Sequence, residues 1–136
     1  MIEISLETGS RTQFVDVTAR VAAAAADLGV DDGFVVVHNP HTTAAVTINE
    51  GADPDVVRDL AAALERMVPW EAGYRHAEGN SAAHIKASLF GSSVTVLVQG
   101  GRLVLGTWQT IWFCEFDGPR RRRLQIAGSA GRPPAI

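Results

Sequence analysis

The residues most able to do chemistry are four histidines near the middle of the chain, His38, His41, His76 and His84. A neutral imidazole can accept a proton or bind a metal ion, and three converging imidazoles would match a zinc-type catalytic site with an open fourth position. The spacings match no zinc-finger or His-Glu-x-x-His pattern, so separate surface or hydrogen-bonded histidines are the alternative. We interpret His38 as a residue that simply ends a strand.

The position of His41 suggests a polar site at the end of a strand. His41 follows a predicted buried strand over 34–37, and Pro40 must interrupt that strand because proline has no N–H to donate to a ladder. Thr42 and Thr43 come next and add two hydroxyl groups. Hydroxyls and backbone amides of this kind can hold a phosphate.

The position of His84 predicts that it faces a small polar surface near the start of a helix. The pattern predicts a helix over 81–90 that Asn80 caps, with His84 one turn into it on the polar face that Asn80 shares. The positive end of the helix dipole disfavours an imidazolium there, which leaves the ring free to bind metal or to accept a proton. His76 lies in the aperiodic stretch 70–79 just before this helix.

An acidic residue lies inside an apolar strand. Alternation over 109–116 places Glu115 on one face with Ile111 and Phe113, and Cys114 on the other face as a small buried apolar residue. A carboxylate in such a strand is costly unless it is paired, hydrogen-bonded or protonated. Two interpretations remain open: a proton carrier with a raised pKa, or an ion pair with an arginine.

Four consecutive arginines, 120–123, follow this strand. If the next strand includes Leu124, alternation turns Arg120 and Arg122 inward and the other two outward. Inward arginines need anions, which are either carboxylates of the chain or a phosphorylated ligand. The alternative is a solvated basic edge strand that discourages pairing between sheets.

A further polar group precedes the second predicted helix. Asp53 is a helix N-cap with Pro54 behind it, whereas Asn49 and Glu50 have no such structural explanation and could face the cavity of His41.

The elements together predict an α+β fold in one domain. The chain has 136 residues, close to the ~150 residues of a typical domain. Neighbouring strands with three interspersed helices favour a mixed, largely antiparallel β-sandwich. We place the domain at residues 1–127 and expect the small, Pro/Gly-rich residues 128–136 to form a flexible tail.

Composition excludes several classes of protein. A net charge of −3 and a pI near 5.7 argue against a nucleic-acid-binding protein. The chain has no apolar run of the ~18 residues that span a bilayer and no signal-peptide pattern at its start. Its single cysteine rules out an internal disulfide framework, so we expect a cytoplasmic protein with no membrane contact.

Three ordered blocks resemble the YjbQ family, described as secondary thiamine-phosphate synthases. They are Pro-His-Thr-Thr-Ala-Ala at 40–45 with Ile-Asn-Glu at 48–50 and Asp-Pro-Asp at 53–55, Tyr-Arg-His-Ala-Glu-Gly-Asn at 74–80 with Ala-His-Ile-Lys-Ala at 83–87, and Leu-Gly-Thr-Trp-Gln at 105–109 with Glu-Phe-Asp-Gly-Pro-Arg at 115–120. The resemblance covers nearly the whole chain except its last residues.

The resemblance implies a homotrimeric α+β sandwich with one pocket that contains His41, His76 and His84. It implies a metal ion at these histidines, which with Glu115 are the candidate catalytic residues, and it implies Asn49, Asp53, Asn80 and Gln109 nearby as substrate-binding residues. The charge of the implied substrates adds further candidate substrate-binding residues: Thr42, Thr43, Arg120 and Arg122. Imidazoles suit Zn²⁺ or a similar ion, whereas Mg²⁺ would accompany a diphosphate substrate.

The implied reaction joins hydroxymethylpyrimidine diphosphate to thiazole phosphate with release of pyrophosphate, as a secondary activity. Two alternatives remain: a metal-dependent hydrolase of a small phosphorylated or amide substrate, and a non-catalytic trimeric metabolite-binding protein.

Overall fold

Eight strands and three helices account for the regular structure of residues 1–131, the part of the chain that the computed structural model describes. In chain order they are β1 (Ile2–Glu7), β2 (Gln13–Asp16), α1 (Thr18–Asp27), β3 (Gly33–His38), β4 (Ala44–Glu50), α2 (Pro54–Met67), α3 (Ser81–Phe90), β5 (Ser93–Gln99), β6 (Arg102–Leu103), β7 (Gln109–Glu115) and β8 (Arg121–Ala130). None of the helices in this part is long and apolar enough to cross a membrane.

The strands form two antiparallel sheets, as the sequence predicts. The larger sheet has the order β1-β8-β3-β5-β6 and the smaller one the order β2-β7-β4. Every strand pair is antiparallel. The predicted α+β class with three helices is therefore confirmed.

Two apolar cores lie on the two faces of β7. Ile111 and Phe113 belong to the core between the sheets, which α1 closes by contacting both β7 and β8. Cys114 lies in a second core with side chains of β4, α2 and α3. The alternation predicted for this strand is therefore correct, and it separates the inter-sheet core from the core under the helices.

The predicted boundary at residue 127 falls inside a strand and is wrong for residues 128–130. β8 continues to Ala130, which pairs with Gly33 of β3. The small residues that suggest a tail are needed for packing, because a Cβ on Gly128 would lie 2.9 Å from side-chain carbons of Val30 and Val35. Residues 132–136 lie outside the described residues, and the prediction of a tail is not tested there.

The arginine-rich strand is central in its sheet. β8 lies between β1 and β3, where it pairs on both sides. The arginines at 121–123 pair with β1 alone, because the register with β3 covers only Gln125 to Ala130. The edge-strand interpretation is therefore wrong for β8 as a whole and is not contradicted for the stretch 121–123. The face of this sheet away from the core carries exposed side chains, among them Phe34, Leu97 and Arg123.

Candidate functional site

Three chain segments meet in a cleft of about 330 Å³, here called the polar cleft. The segments are the turn after β3, the approach to α3, and the turn that leads from β7 into β8. The lining residues are Pro40, His41, Thr42, Thr43, Glu78, Asn80, His84, Asp117, Arg120 and Arg122. The structure thus brings together most of the predicted site residues, from distant parts of the chain.

The imidazole of His41 extends the hydrogen-bond ladder of β3 beyond the end of that strand. β3 ends at His38, which is in register with Gln125 of β8. Two residues earlier in β8, the amide of Arg123 donates to Nε2 of His41 at 3.0 Å. Burial and the charge of Arg122 lower the pKa of His41, and the bond from Arg123 requires an unprotonated Nε2. His41 is therefore neutral at pH 7.

The turn that presents His41 is organised by a buried residue that our sequence analysis missed. Asn39 is 1% exposed. Its Oδ1 accepts from the amide of His41 at 3.0 Å, and its Nδ2 donates to the carbonyl of Ala44 at 2.6 Å. An asparagine just before a proline at a strand end is a typical turn former, and that signal could have identified it.

Glu115 and Arg122 form an ion pair under the cleft. Nε and Nη2 of Arg122 bind the two carboxylate oxygens at 2.8 and 2.5 Å. Nη2 also donates to Oγ1 of Thr43 at 2.8 Å, and Oγ1 of Thr8 donates to the carboxylate at 2.9 Å. Of the two interpretations of Glu115, the structure supports the ion pair.

The lowered pKa of Glu115 agrees with the ion pair and contradicts the interpretation as a proton carrier. Burial alone would raise the pKa, but hydrogen bonds from Arg122, from the amide of Asp117 and from Thr8 outweigh burial and hold the pKa below its usual value. The carboxylate is fully buried and stays ionised at neutral pH. The expectation of a raised pKa for a catalytic proton carrier is therefore wrong.

Arg120 does not point inward with Arg122 as predicted. β8 begins at Arg121, so Arg120 belongs to the preceding turn and strand alternation does not apply to it. Its side chain is 49% exposed and binds the carboxylate of Asp117 at 3.0 Å. Arg120 is consequently the guanidinium that a ligand in the cleft could reach most easily.

Asn80 precedes α3 as predicted, but its side chain does not cap the helix. Nδ2 donates to Asp117 at 2.9 Å instead. The Oδ1 atom is buried and has no hydrogen-bond partner within residues 1–131. A buried acceptor without a partner is costly, so this oxygen would gain from a donor or a cation.

His76 and His84 are close to each other, and His84 also lines the polar cleft with His41. The His76 and His84 rings are 5.3 Å apart between centroids at an angle of 87°, and Glu78 lies 3.8 Å from Nε2 of His76. Two imidazoles on one tetrahedral ion have centroids roughly 5 Å apart, so this pair fits a shared metal. Within the described chain, however, no three His, Cys, Asp or Glu residues are grouped to hold an ion.

Three predicted site residues lie away from the cleft. Asn49 and Gln109 are at the far end of the small sheet, since Glu50 pairs with Gln109 there while Ala44 pairs with Glu115 near the cleft. Six residues of strand separate these ends by roughly 20 Å. Asp53 accepts from the amide of Asp55 at 2.9 Å and caps α2 as expected. Within one chain these residues do not join the histidines.

Lys86 is a second buried residue that our sequence analysis overlooked. Its side chain is 2% exposed, on the face of α3 that packs toward α2. Nζ lies 3.2 Å from both carboxylate oxygens of Glu65. Helical spacing offers a partial signal, because Lys86 falls between the buried Ala82, Ala83 and Ala87. The ion pair joins the two helices that cover the small sheet.

Comparisons with known proteins agree with this fold. A family model described as UPF0047 protein YjbQ-like matches residues 2–129. The UPF0047 protein YugU of Bacillus subtilis is 48% identical over 124 residues, which cover 90% of this chain and 94% of YugU. A UPF0047 protein of Archaeoglobus fulgidus is 44% identical over 127 residues, with coverage of 92% and 98%.

Solved structures show the same architecture. The crystal structure of an uncharacterised conserved protein of the YjbQ/UPF0047 family from Clostridium acetobutylicum has a TM-score of 0.93 at 52% identity, covering 95% of this chain and all (100%) of that one. A conserved hypothetical protein from Thermus thermophilus has a TM-score of 0.87 at 40% identity, with coverage of 93% and 98%. These relatives share the fold of this chain.

Proposed function

The chain belongs to the YjbQ/UPF0047 family, and we propose that its polar cleft binds small phosphorylated substrates in a reaction like that of thiamine-phosphate synthase. In this reaction the carbon–oxygen bond of hydroxymethylpyrimidine diphosphate breaks, and the thiazole nitrogen of the second substrate forms the new carbon–nitrogen bond. Pyrophosphate leaves with the bonding electrons. The site must therefore hold a leaving group with several negative charges.

The observation that carries the proposal is the composition of the polar cleft. Two guanidinium groups, a free threonine hydroxyl and two imidazoles surround one space, supplied by Arg120, Arg122, Thr42, His41 and His84. Charged hydrogen bonds to phosphate are roughly twice as strong as neutral ones. Such a cleft suits a phosphorylated ligand better than an apolar one.

The residues of the cleft divide the work of binding and positioning. Arg120 is exposed and can bind a phosphate oxygen. Glu115 and Thr43 hold the guanidinium of Arg122 in one position, so its positive charge has a fixed place in the cleft. Thr42 offers an exposed hydroxyl, whereas the hydroxyl of Thr43 is already bound to Arg122. The ring N–H of His84 can donate a hydrogen bond to the departing pyrophosphate.

We also propose a divalent metal ion, Zn²⁺ or a similar one, held by His76 and His84. The separation of the two rings supports this assignment, and a metal there would help neutralise the pyrophosphate. His41 is a weaker candidate as a ligand, because its Nε2 already accepts a bond from Arg123. Mg²⁺ bound with the diphosphate is compatible with the same cleft.

The test is product formation by the purified protein from the two phosphorylated precursors, measured by chromatography of thiamine phosphate. We expect activity in the wild type and its loss in His84→Ala. The matched control is His38→Ala, which removes an exposed histidine outside the cleft and should retain activity. Absence of product with the wild type, together with failure to complement a strain that lacks the dedicated synthase, would refute the proposal.

A metal-dependent hydrolase is the second candidate, and the pairing of His76 with His84 beside Glu78 favours it. Metal analysis of the purified protein separates the two candidates. A stoichiometric transition metal that is lost in His76→Ala/His84→Ala but kept in His38→Ala, together with hydrolysis of phosphorylated or amide substrates, would support the hydrolase.

We further propose that the protein is a homotrimer, as the resemblance implies. Light scattering after size-exclusion chromatography should give three times the monomer mass of 14.5 kDa. If such a trimer binds phosphorylated metabolites but turns over none of them, the non-catalytic binding protein becomes the accepted function.

A further inference from the structure

A second cavity, here called the outer cavity, lies against the exposed face of the larger sheet. It has a volume of about 440 Å³ and is lined by Glu3, Ser5, His41 and the three arginines 121–123. His41 lines both the outer cavity and the polar cleft. Arg122 also lines both, so the two spaces are neighbours that share two residues as a wall.

Two exposed arginines of the outer cavity stand in the part of β8 that pairs with β1 alone. β3 joins β8 only from Gln125 onward, beyond Arg121 and Arg123. They lie on the same face of β8 with one residue between them, which separates their Cα atoms by roughly 7 Å. Two positive side chains therefore stand on one face of β8, beside Glu7 and Ser5 of β1.

That charge is only partly balanced by the chain. Arg121 binds Glu7 at 3.2 Å, but the two side chains are 76% and 74% exposed, and exposed pairs of this kind contribute little. Arg123 forms no ion pair with any residue of the described chain, and its register partner on β1 is the uncharged Ser5.

The one carboxylate in the lining is held by a different neighbour. Oε2 of Glu3 accepts a hydrogen bond from Gln125 at 3.4 Å. Arg123 and the hydroxyl of Ser5 thus face the cavity with donors, while Glu3 limits the negative charge that the cavity can accept. This arrangement favours one small anionic group over a polyanion.

We propose that the outer cavity is an anion subsite that binds a phosphate group through Arg121, Arg123 and Ser5. The amide of Arg123 donates to His41, so the backbone that carries this subsite also positions a residue of the polar cleft. The protein can accordingly hold two phosphate groups at once, one in the outer cavity and one in the polar cleft. The subsite does not depend on the reaction proposed above.

The test is a titration with inorganic phosphate, followed through amide resonances in two-dimensional NMR at constant ionic strength, with chloride as the comparison salt. We expect saturable shifts at Ser5 and 121–123 with phosphate and none with chloride. Arg123→Gln should weaken this phosphate binding about tenfold, since it removes a charged hydrogen bond. The control Arg102→Gln removes an exposed arginine on β6 and should change nothing.

Two results would overturn the subsite. One is the absence of phosphate-specific shifts at these residues. The other is a change in the molecular mass of the assembly on Arg123→Gln, because Arg123 would then serve a contact with another copy of the chain.

The outcomes separate this inference from the proposed function. If Arg120→Gln abolishes shifts at 42–43 but leaves those at 121–123, the two spaces bind phosphate independently. Phosphate binding at 121–123 without any thiamine phosphate formation would refute the reaction and keep the subsite. If Arg123→Gln forms thiamine phosphate as the wild type does, and phosphate causes no shifts at 121–123, the reaction is kept and the subsite is refuted.

Discussion

The carboxylate of Glu115 and the guanidinium of Arg122 join the two sheets of the sandwich at the base of the polar cleft. Glu115 ends β7 of the smaller sheet, and Arg122 lies near the start of β8 of the larger one. The two residues are 0% and 3% exposed. Because Thr8 and Thr43 bind the same pair, four chain segments are fixed around it. The cleft therefore has a rigid floor before any ligand arrives.

Removal of the charge of Glu115 should destabilise the protein strongly. Glu115→Gln leaves the buried guanidinium of Arg122 without its counter-charge, and breaking a buried pair in this way costs about 3 to 5 kcal/mol. Urea unfolding should show the loss as a lower midpoint with an unchanged slope. The matched control is Asp55→Asn, which breaks an exposed pair with Arg58 and should cost less than about 1 kcal/mol. Equal effects of the two substitutions would contradict the structural role of Glu115.

The same pair predicts loss of stability in acid. The pKa of Glu115 is lowered in the folded protein from its ordinary value of 4.5, so the unfolded chain binds the proton more readily. The contribution of Glu115 is complete above pH ~4.5 and is lost as the pH falls through the lowered pKa of the folded state. Urea midpoints measured from pH 7 to pH 3 should fall more steeply for the wild type than for Glu115→Gln. Parallel curves would show that other carboxylates dominate the acid transition.

Asn39 should be essential for the turn that presents His41. Asn39→Ala removes the acceptor of the His41 amide and the donor to Ala44, which leaves buried backbone groups unpaired at about 1 to 3 kcal/mol each. Thermal unfolding should show a clear drop in midpoint, and the His41 ring resonances should shift. Asn49→Ala is the control, because Asn49 is exposed on a strand. If the His41 resonances stay in place in Asn39→Ala, Asn39 does not position this ring.

Lys86 and Glu65 should respond unequally to mutation. Glu65→Gln leaves the buried ammonium group of Lys86 without its counter-charge and should lower the free energy of unfolding by about 1 to 3 kcal/mol. Lys86→Met removes the buried charge and keeps most of the volume, so its effect should lie within about 1 kcal/mol of the wild type. Urea unfolding of both variants measures the difference. A larger loss in Lys86→Met than in Glu65→Gln would show that the ammonium group itself stabilises the packing of α2 on α3.

The local elements could be predicted because their signals are local. Alternation along 111–116 correctly divided the faces of β7, and Asp53 followed by Pro54 correctly marked the start of α2. The pairing of the strands carries no such signal. A run of arginines does not reveal that β8 has neighbours on both sides, and small residues at 128–130 resemble a tail unless β3 is known to lie beside them.

Part of the candidate site could also be predicted, because some of its residues belong to elements with local signals. His41, His84, Asn80 and Arg122 line one cleft as expected, because each follows or begins an element that the pattern identifies. Asn49 and Gln109 lie at the opposite sheet end, since a sequence does not say which end of a strand faces which loop. The burial of Lys86 and Asn39 could not be predicted, because it depends on which other parts of the chain pack over them.

The central place of β8 also bears on the order in which the protein can assemble during synthesis. β1 pairs with β8 alone, across more than a hundred intervening residues. During synthesis β1 therefore waits, without its partner strand, until almost all of the domain has emerged. Closing so long a loop is slow and makes folding a late event. A nascent chain that stalls before residue 121 should stay open to proteases and chaperones, however complete its helices are.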